Sequence, residues 1–222
     1  MKTATRERPI LFSAAMIPAL REGRKTQTRR VVNFGKHGCD DLQHVEYARD
    51  GMPIWWGSPP DDSIRQSDYY DHGMPCPYGK SGDQLWVRET FGFGWNSGAG
   101  FYTAIPPTGR EDKPEKVYYK ADNQFDESKG KHCWRPSIYM PRWASRINLE
   151  ITGVRVQRLQ DISDGDIRAE GMALTDLDGR SIPRKKWRCV FSRTWDEING
   201  KRLGCDWESN PWVWAITFKV LT

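Results

Sequence analysis

Apolar residues open the ordered pattern at Pro9-Ile10-Leu11-Phe12, which reads as a short buried strand. Ser13 stands where a helix N-cap belongs. Met16, Ile17 and Leu20 fall on one face of a helix over 14–22, which Gly23 ends. Lys25 to Val32 carries the β-branched content and alternation of a second strand, so the chain opens strand–helix–strand. Periodicity is then lost over 33–82 except around Met52–Trp56, and Gly, Pro, Asp and His are frequent there. That segment reads as a long insertion with at most short strands. Order returns with Gly82–Phe91, a turn followed by a strand. A second Gly/Pro-rich stretch covers 92–114, Val117–Lys120 is a strand, and Asp122–Lys131 is polar loop. Ser137–Met140 and Ala144–Val156 read as strands, the latter with Ile147, Leu149 and Ile151 alternating against polar partners. Ser163 and Asp166 have capping-box spacing and open a short helix that Gly171 closes. Val190, Phe191, Trp195 and Ile198 recur at helical spacing in Arg188–Ile198, and Pro211–Val220 is a nearly continuous apolar strand. Mixed strands with few short helices predict an α+β domain built on a closed or half-closed barrel.

Composition narrows the setting. The 222 residues are read as a single domain, 1–222, with insertions at about 33–81 and 92–116. Mean hydropathy is −0.76, and no apolar run approaches the roughly 20 residues of a membrane helix. The apolar stretch before Arg21 is too short for a secretory signal, so a cytoplasmic protein without membrane contact is expected. Cys39, Cys76, Cys133, Cys189 and Cys205 are then read as reduced thiols. Eleven Trp, 8 Tyr and 8 Phe exclude a disordered chain. The net charge of +5 permits a nucleic-acid partner without requiring one.

The densest chemical signal is Arg21–Arg30, where basic side chains alternate with Thr26 and Thr28. Such a cluster can grip a phosphate or present a threonine hydroxyl beside a lysine; it can also be a solvated strand edge. Gly23-Arg-Lys-Thr-Gln-Thr-Arg-Arg30 resembles the N-terminal signature of the ASCH domain, in the PUA-like superfamily. Gly82–Glu89, Ala169-Glu-Gly-Met172 and Pro211–Phe218 resemble its later motifs. Ile10–Ser13, Cys76-Pro-Tyr-Gly79 and Met140–Arg146 are similar to its long phage and prophage branch. The resemblance implies an α+β, PUA-like mixed β-barrel with short helices packed on it, long loop insertions, and a cleft for a nucleoside or nucleic acid. Some compact members are amidohydrolases that deacetylate N4-acetylcytidine. Their lysine, threonine and later-helix glutamate fall here on Lys25, Thr28 and Glu170, with the motif arginine on Arg30. Other members resemble ribonucleases or non-catalytic readers of RNA or modified DNA bases, and both alternatives stand beside the hydrolase.

The hydrolase chemistry has a physical basis. Threonine needs a base, which a desolvated lysine can be. A glutamate can protonate the departing amine, and an arginine can hold an oxyanion. One geometric condition applies: residues 25 and 28 face opposite ways on a regular strand, so Lys25 must sit in the turn after Gly23. Arg24, Arg29 and Arg30 are read as substrate-binding. So are Arg142, Trp143 and Arg146, where a tryptophan between arginines suits base stacking. Lys185 and Lys186, beside Trp187, could follow a phosphate backbone or simply be solvated. His37, Cys39, His44, His72, Cys76, His132 and Cys133 lack zinc-ligand spacing, so neither metal nor cofactor is assigned. The expected ligand is a nucleoside or single-stranded nucleic acid; no protein partner is indicated.

Overall fold

The structure, a computed structural model, describes residues 5–33, 42–47, 53–57, 74–94, 116–122, 134–175 and 179–221. It is α+β. The strands are β1 (Glu7–Leu11), β2 (Gln27–Val31), β3 (Leu42–Tyr47), β4 (Pro53–Gly57), β5 (Met74–Pro75), β6 (Gln84–Arg88), β7 (Phe91–Gly94), β8 (Lys116–Tyr119), β9 (Asn148–Arg158) and β10 (Trp212–Leu221). Among the described residues the α-helices are α1 (Ile17–Arg21), α2 (Asp164–Ala169) and α3 (Trp187–Asn199). The main sheet has the order β1-β6-β9-β10-β2, in which β1 and β6 are parallel and the other pairs antiparallel. β3, β4 and β5 form a separate sheet inside the segment expected to be mostly loop, and β7 pairs with β8.

Strand β10 is the centre of the molecule. Val213, Trp214, Ala215 and Ile216 are all buried in sequence, because both faces of the strand are covered. Trp214, Ile216 and Phe218 enter a core with Ile10, Phe12, Ile17, Leu20, Leu85, Leu149 and Ile151. Val213 enters a second core with Leu159, Ile162, Ile167, Trp187, Phe191 and Trp195 from the α2–α3 side. The apolar stripe of α3 accordingly buries Phe191 and Trp195, but Ile198 remains 58% exposed.

Four expectations are corrected. The barrel does not close: β1 and β2 lie at opposite edges of an open sheet. Arg30 Nη2, on β2, donates to the Leu11 carbonyl at the end of β1 at 2.6 Å, so a side chain spans the gap where a ladder was expected. Ser13 makes no side-chain cap bond; the helical segment starts as a 3₁₀ turn at Ala14–Met16 and continues into α1 with Pro18 in its first turn. Ser137–Tyr139 is a 3₁₀ turn rather than a strand, since Pro136 and Pro141 on either side cannot donate to a ladder. A further 3₁₀ turn at Arg142–Ala144 delays the long strand to Asn148.

One backbone position is set by close approach. Gly171 has φ +73°, and a Cβ there would lie 2.6 Å from Lys25 Cβ and 3.1 Å from Ala19 Cβ. Gly171→Ala combines left-handed strain with overpacking, each on the order of 1–3 kcal/mol. The expected outcome is a fall of about 2 kcal/mol or more in unfolding free energy with an unchanged denaturant slope, measured by urea titration.

Candidate active site

The site begins with a turn. Gly23, at φ +71°, ends α1, and the Lys25 amide then donates to the Ala19 carbonyl at 2.9 Å. Regular strand geometry starts only at Gln27, so Lys25 precedes the strand, as the lysine–threonine spacing requires. The Thr26 amide donates to the Ala169 carbonyl at 2.8 Å, stitching this turn to the end of α2. That helix is only six residues long. Its start is held by a reciprocal capping box, in which Ser163 Oγ accepts from the Asp166 amide at 3.1 Å and Asp166 Oδ2 accepts from the Ser163 amide at 3.2 Å. Glu170 is its C-cap residue.

Glu170 is where two cations meet. Lys25 Nζ donates to Glu170 Oε2 at 2.8 Å and to the Glu170 carbonyl at 2.7 Å. Arg29 Nη1 donates to Glu170 Oε1 at 3.0 Å and to Gln27 Oε1 at 2.7 Å, while its Nη2 lies 3.1 Å from Asp166 Oδ2. Lys25, Arg29 and Glu170 are all buried, and Arg29 Nε is buried with no hydrogen-bond partner. Burial pushes the Lys25 amine below its usual range; Glu170 opposes this, and Arg30 and Arg29 add to it. Desolvation would raise Asp166, but the Ser163 bonds, Arg29 and Gln27 outweigh it and hold the carboxyl at about 2.

Thr28 and Arg30 occupy the other face of β2, paired with Ile216 and Trp214 of β10. Thr28 is buried, and its Oγ1 accepts a hydrogen bond from Arg30 Nη1 at 3.0 Å. The Arg30 guanidinium lies 5.1 Å from the Phe12 ring centroid, and Lys25 Nζ lies 5.7 Å from it. Burial lowers the pKa of Arg30, and interactions with Tyr78 and Glu170 oppose this. Lys25, Thr28, Arg29, Arg30 and Glu170 all border one cleft of about 1040 Å³. Phe12, Tyr78 and Trp214 line one part of it; Phe191, Thr194, Trp195 and Ile198 of α3 and Arg202 beyond that helix line another.

The other predicted binding residues lie elsewhere. Arg24 is exposed and pairs with Glu22. Arg142, also exposed, pairs with Glu7 at 2.9 Å. Trp143 is 48% exposed and stacks on Phe93 at 5.4 Å. Arg146 is committed to the fold: it holds both oxygens of buried Glu89 and both of Asp122, over the Tyr119 ring at 3.8 Å. None of these four borders the cleft, nor do Lys185 and Lys186, which sit on an exposed 3₁₀ turn before α3. Of the cysteines, Cys76 and Cys205 are buried and Cys189 exposed, all three unpaired, and burial raises the Cys76 thiol to about 11. Cys39, Cys133, His37, His72 and His132 lie outside the described residues, as does the side chain of His44. Among the described residues no cluster of three potential metal ligands occurs, and no helix is long and apolar enough to cross a membrane.

Sequence reasoning missed Gln27, Tyr78, Asp166 and Arg202 as parts of the site. Gln27 lies within the Gly23–Arg30 motif, Tyr78 in the Cys76-Pro-Tyr-Gly79 turn and Asp166 in the capping box, whereas Arg202 had no signal.

No family model and no curated protein matches the sequence. Among solved structures, the fold is similar to a protein of Enterococcus faecalis V583 from the family described as DUF984. The identity is 10% and the TM-score 0.40, covering 100% of this chain and 83% of that one. It is also similar to an ASCH domain from Lactobacillus crispatus JV V101, at 12% identity and a TM-score of 0.37, covering 97% of this chain and 79% of that one.

The low Asp166 pKa makes stability depend on acid. An unfolded aspartate titrates near about 3.9 and the folded one at about 2. Between these values the unfolded chain holds more protons, so stability falls as pH drops through that window. Melting temperature measured from pH 5 to pH 2 should decline for the parent, with a shallower slope for Asp166→Asn.

Proposed function

We propose that the cleft binds a nucleoside and that Lys25, Thr28 and Glu170 deacylate an N4-acylated cytidine in it. The observation that supports this reading is the buried contact of Lys25 Nζ with Glu170 Oε2, 2.8 Å long, at the border of the same cleft as Thr28. In the reaction, neutral Lys25 takes the Thr28 hydroxyl proton as Oγ1 attacks the acyl carbonyl carbon. The carbonyl electrons move to oxygen, forming a tetrahedral oxyanion. As they return, the C–N4 bond breaks, and N4 leaves as an amine with a proton passed from Lys25 through Glu170. Water then hydrolyses the acyl-threonine, with the same pair acting as base, and releases the carboxylic acid. Arg30 already donates to Thr28 Oγ1, so it favours the oxygen as negative charge develops there. The depressed Lys25 pKa raises the neutral fraction that this base needs.

A second reading is a non-catalytic reader of RNA or modified bases. It draws on the saturation of the site: both Glu170 oxygens and the Thr28 oxygen are already bonded within the protein. A wall of that kind recognises a base without moving atoms.

Incubation with N4-acetylcytidine and chromatographic detection of cytidine separates the two. For the hydrolase, Lys25→Ala and Glu170→Gln should each lower turnover by about 10²–10⁴-fold while circular dichroism shows them folded. The parent rate should rise with pH as the Lys25 ammonium deprotonates. Absence of cytidine from the folded parent would leave the reader.

A further inference from the structure

Glu170 sits astride the edge of β2. Gln27, Arg29 and Val31 share the face of the strand that looks toward α2 and α3, where Val31 packs against the core that holds Phe191 and Trp195. Thr28 and Arg30 take the opposite face, level with Ile216 and Trp214. Glu170 Oε1 meets Arg29 from the first side. Its Oε2 meets Lys25, whose Nζ lies 5.7 Å from the Phe12 ring, from the second. The Arg29 side chain has no solvent exposure; Nη1 is taken by Glu170 and Gln27, and Nη2 faces Asp166. It acts on Lys25 and its surroundings through Glu170.

A role in stability alone accounts poorly for this arrangement. The buried Nε of Arg29 has no partner among the described residues, which costs free energy. A second cation on a buried carboxylate also weakens its attraction for the first. The charged groups that meet here are Asp166 and Glu170 from α2 and its C-cap, Lys25, Arg29 and Arg30 from the turn and β2, and Arg155 from β9, which pairs with Asp166. Helix α1 turns its charge outward: Arg21 pairs with Asp122, and Glu22 just beyond the helix pairs with Arg24. Of the cations, the arginines keep their protons and the lysine can lose one. Burial favours the neutral Lys25 amine, and Arg29 adds to that effect against the pull of Glu170. Discharge of Lys25 is the change that relieves the crowding of positive charge.

We infer that Arg29 is a positioning residue: from the far face of β2 it fixes the Glu170 carboxylate and, as a permanent second cation on it, frees the Lys25 amine to act as a base. This rests on the proposed role of Lys25, but its test does not need turnover. The Lys25 Nζ is titrated by NMR in protein carrying isotope-labelled lysine, its signal assigned by loss in Lys25→Arg. Arg29→Gln should raise the titration midpoint by at least about one pH unit, whereas Arg29→Lys, which keeps the charge, should hold it within about half a unit. Asp166→Asn, which removes a carboxylate, should lower it. Loosened packing would not move the two neutralising variants in opposite directions. A midpoint unmoved or lowered in Arg29→Gln overturns the inference; where that variant does not fold, a midpoint unmoved or raised in Asp166→Asn does so. With N4-acetylcytidine, Arg29→Gln should carry the rising limb of kcat to higher pH while KM stays within about twofold. A KM raised at least about tenfold with an unmoved limb would make Arg29 a substrate contact and overturn its positioning role. A folded parent that releases no cytidine removes the hydrolase, and the midpoints still decide the role of Arg29.

Discussion

Two cations on one buried carboxylate hold this structure's working region together. Glu170 meets Lys25 through one oxygen and Arg29 through the other, all with little access to water. Removing such charges from water costs several kcal/mol per ion, and the contact stands only while every partner is present. The cluster lies where three pieces of chain converge: the turn after α1, the edge strand β2 and the end of α2. Among the described residues strand β2 has a backbone ladder on one side, with β10. On its other side the Lys25–Glu170 bridge and the Thr26 bond to Ala169 do the holding. Gly171 fits the same convergence, since the Lys25 Cβ occupies the space that a side chain there would need.

The open sheet and the cleft have one cause. A closed barrel would pair β1 with β2 along their length, and the space between them would fill with side chains. Here Arg30 reaches across to Leu11 instead, and Leu11 and residues 28–31 of β2 border the cleft. The guanidinium that bridges the edges also bonds the Thr28 hydroxyl, so the feature that limits the opening also polarises the candidate nucleophile.

Local chemistry was the legible part. Ser163 and Asp166 announced α2 and its end at Gly171, and the apolar run 211–220 announced β10, because capping and burial leave compact patterns. Lys25, Thr28 and Glu170 could be proposed together through motif resemblance, and Gly23 explained how Lys25 escapes strand alternation. What did not show was partnership at long range. Arg142 and Arg146 look alike beside Trp143, yet one pairs with exposed Glu7 and the other is locked between Glu89 and Asp122. Nothing in the spacing of Arg146 reveals carboxylates 57 and 24 positions away. Arg202 was silent for the same reason, being a single arginine in a polar turn. Ile198 fits the helical stripe and still faces the cleft, since periodicity locates a face without saying what covers it.

The sheet order has a kinetic consequence. Edge strand β2, which carries Thr28, Arg29 and Arg30, is laddered to β10, and Gln27 and Thr217 that meet there are 190 positions apart. Strand β1 likewise waits for β6, with Glu7 opposite Gln84. Loop closure over such distances must precede the contacts that reward it, so folding is slow for the size of the chain. During synthesis the basic segment 21–30 emerges well before β10, and it stays without that sheet partner until residues 212–221 have been made. Until then Lys25 and its neighbouring arginines are ordinary solvated cations, and the depressed amine comes into being only as β10 docks.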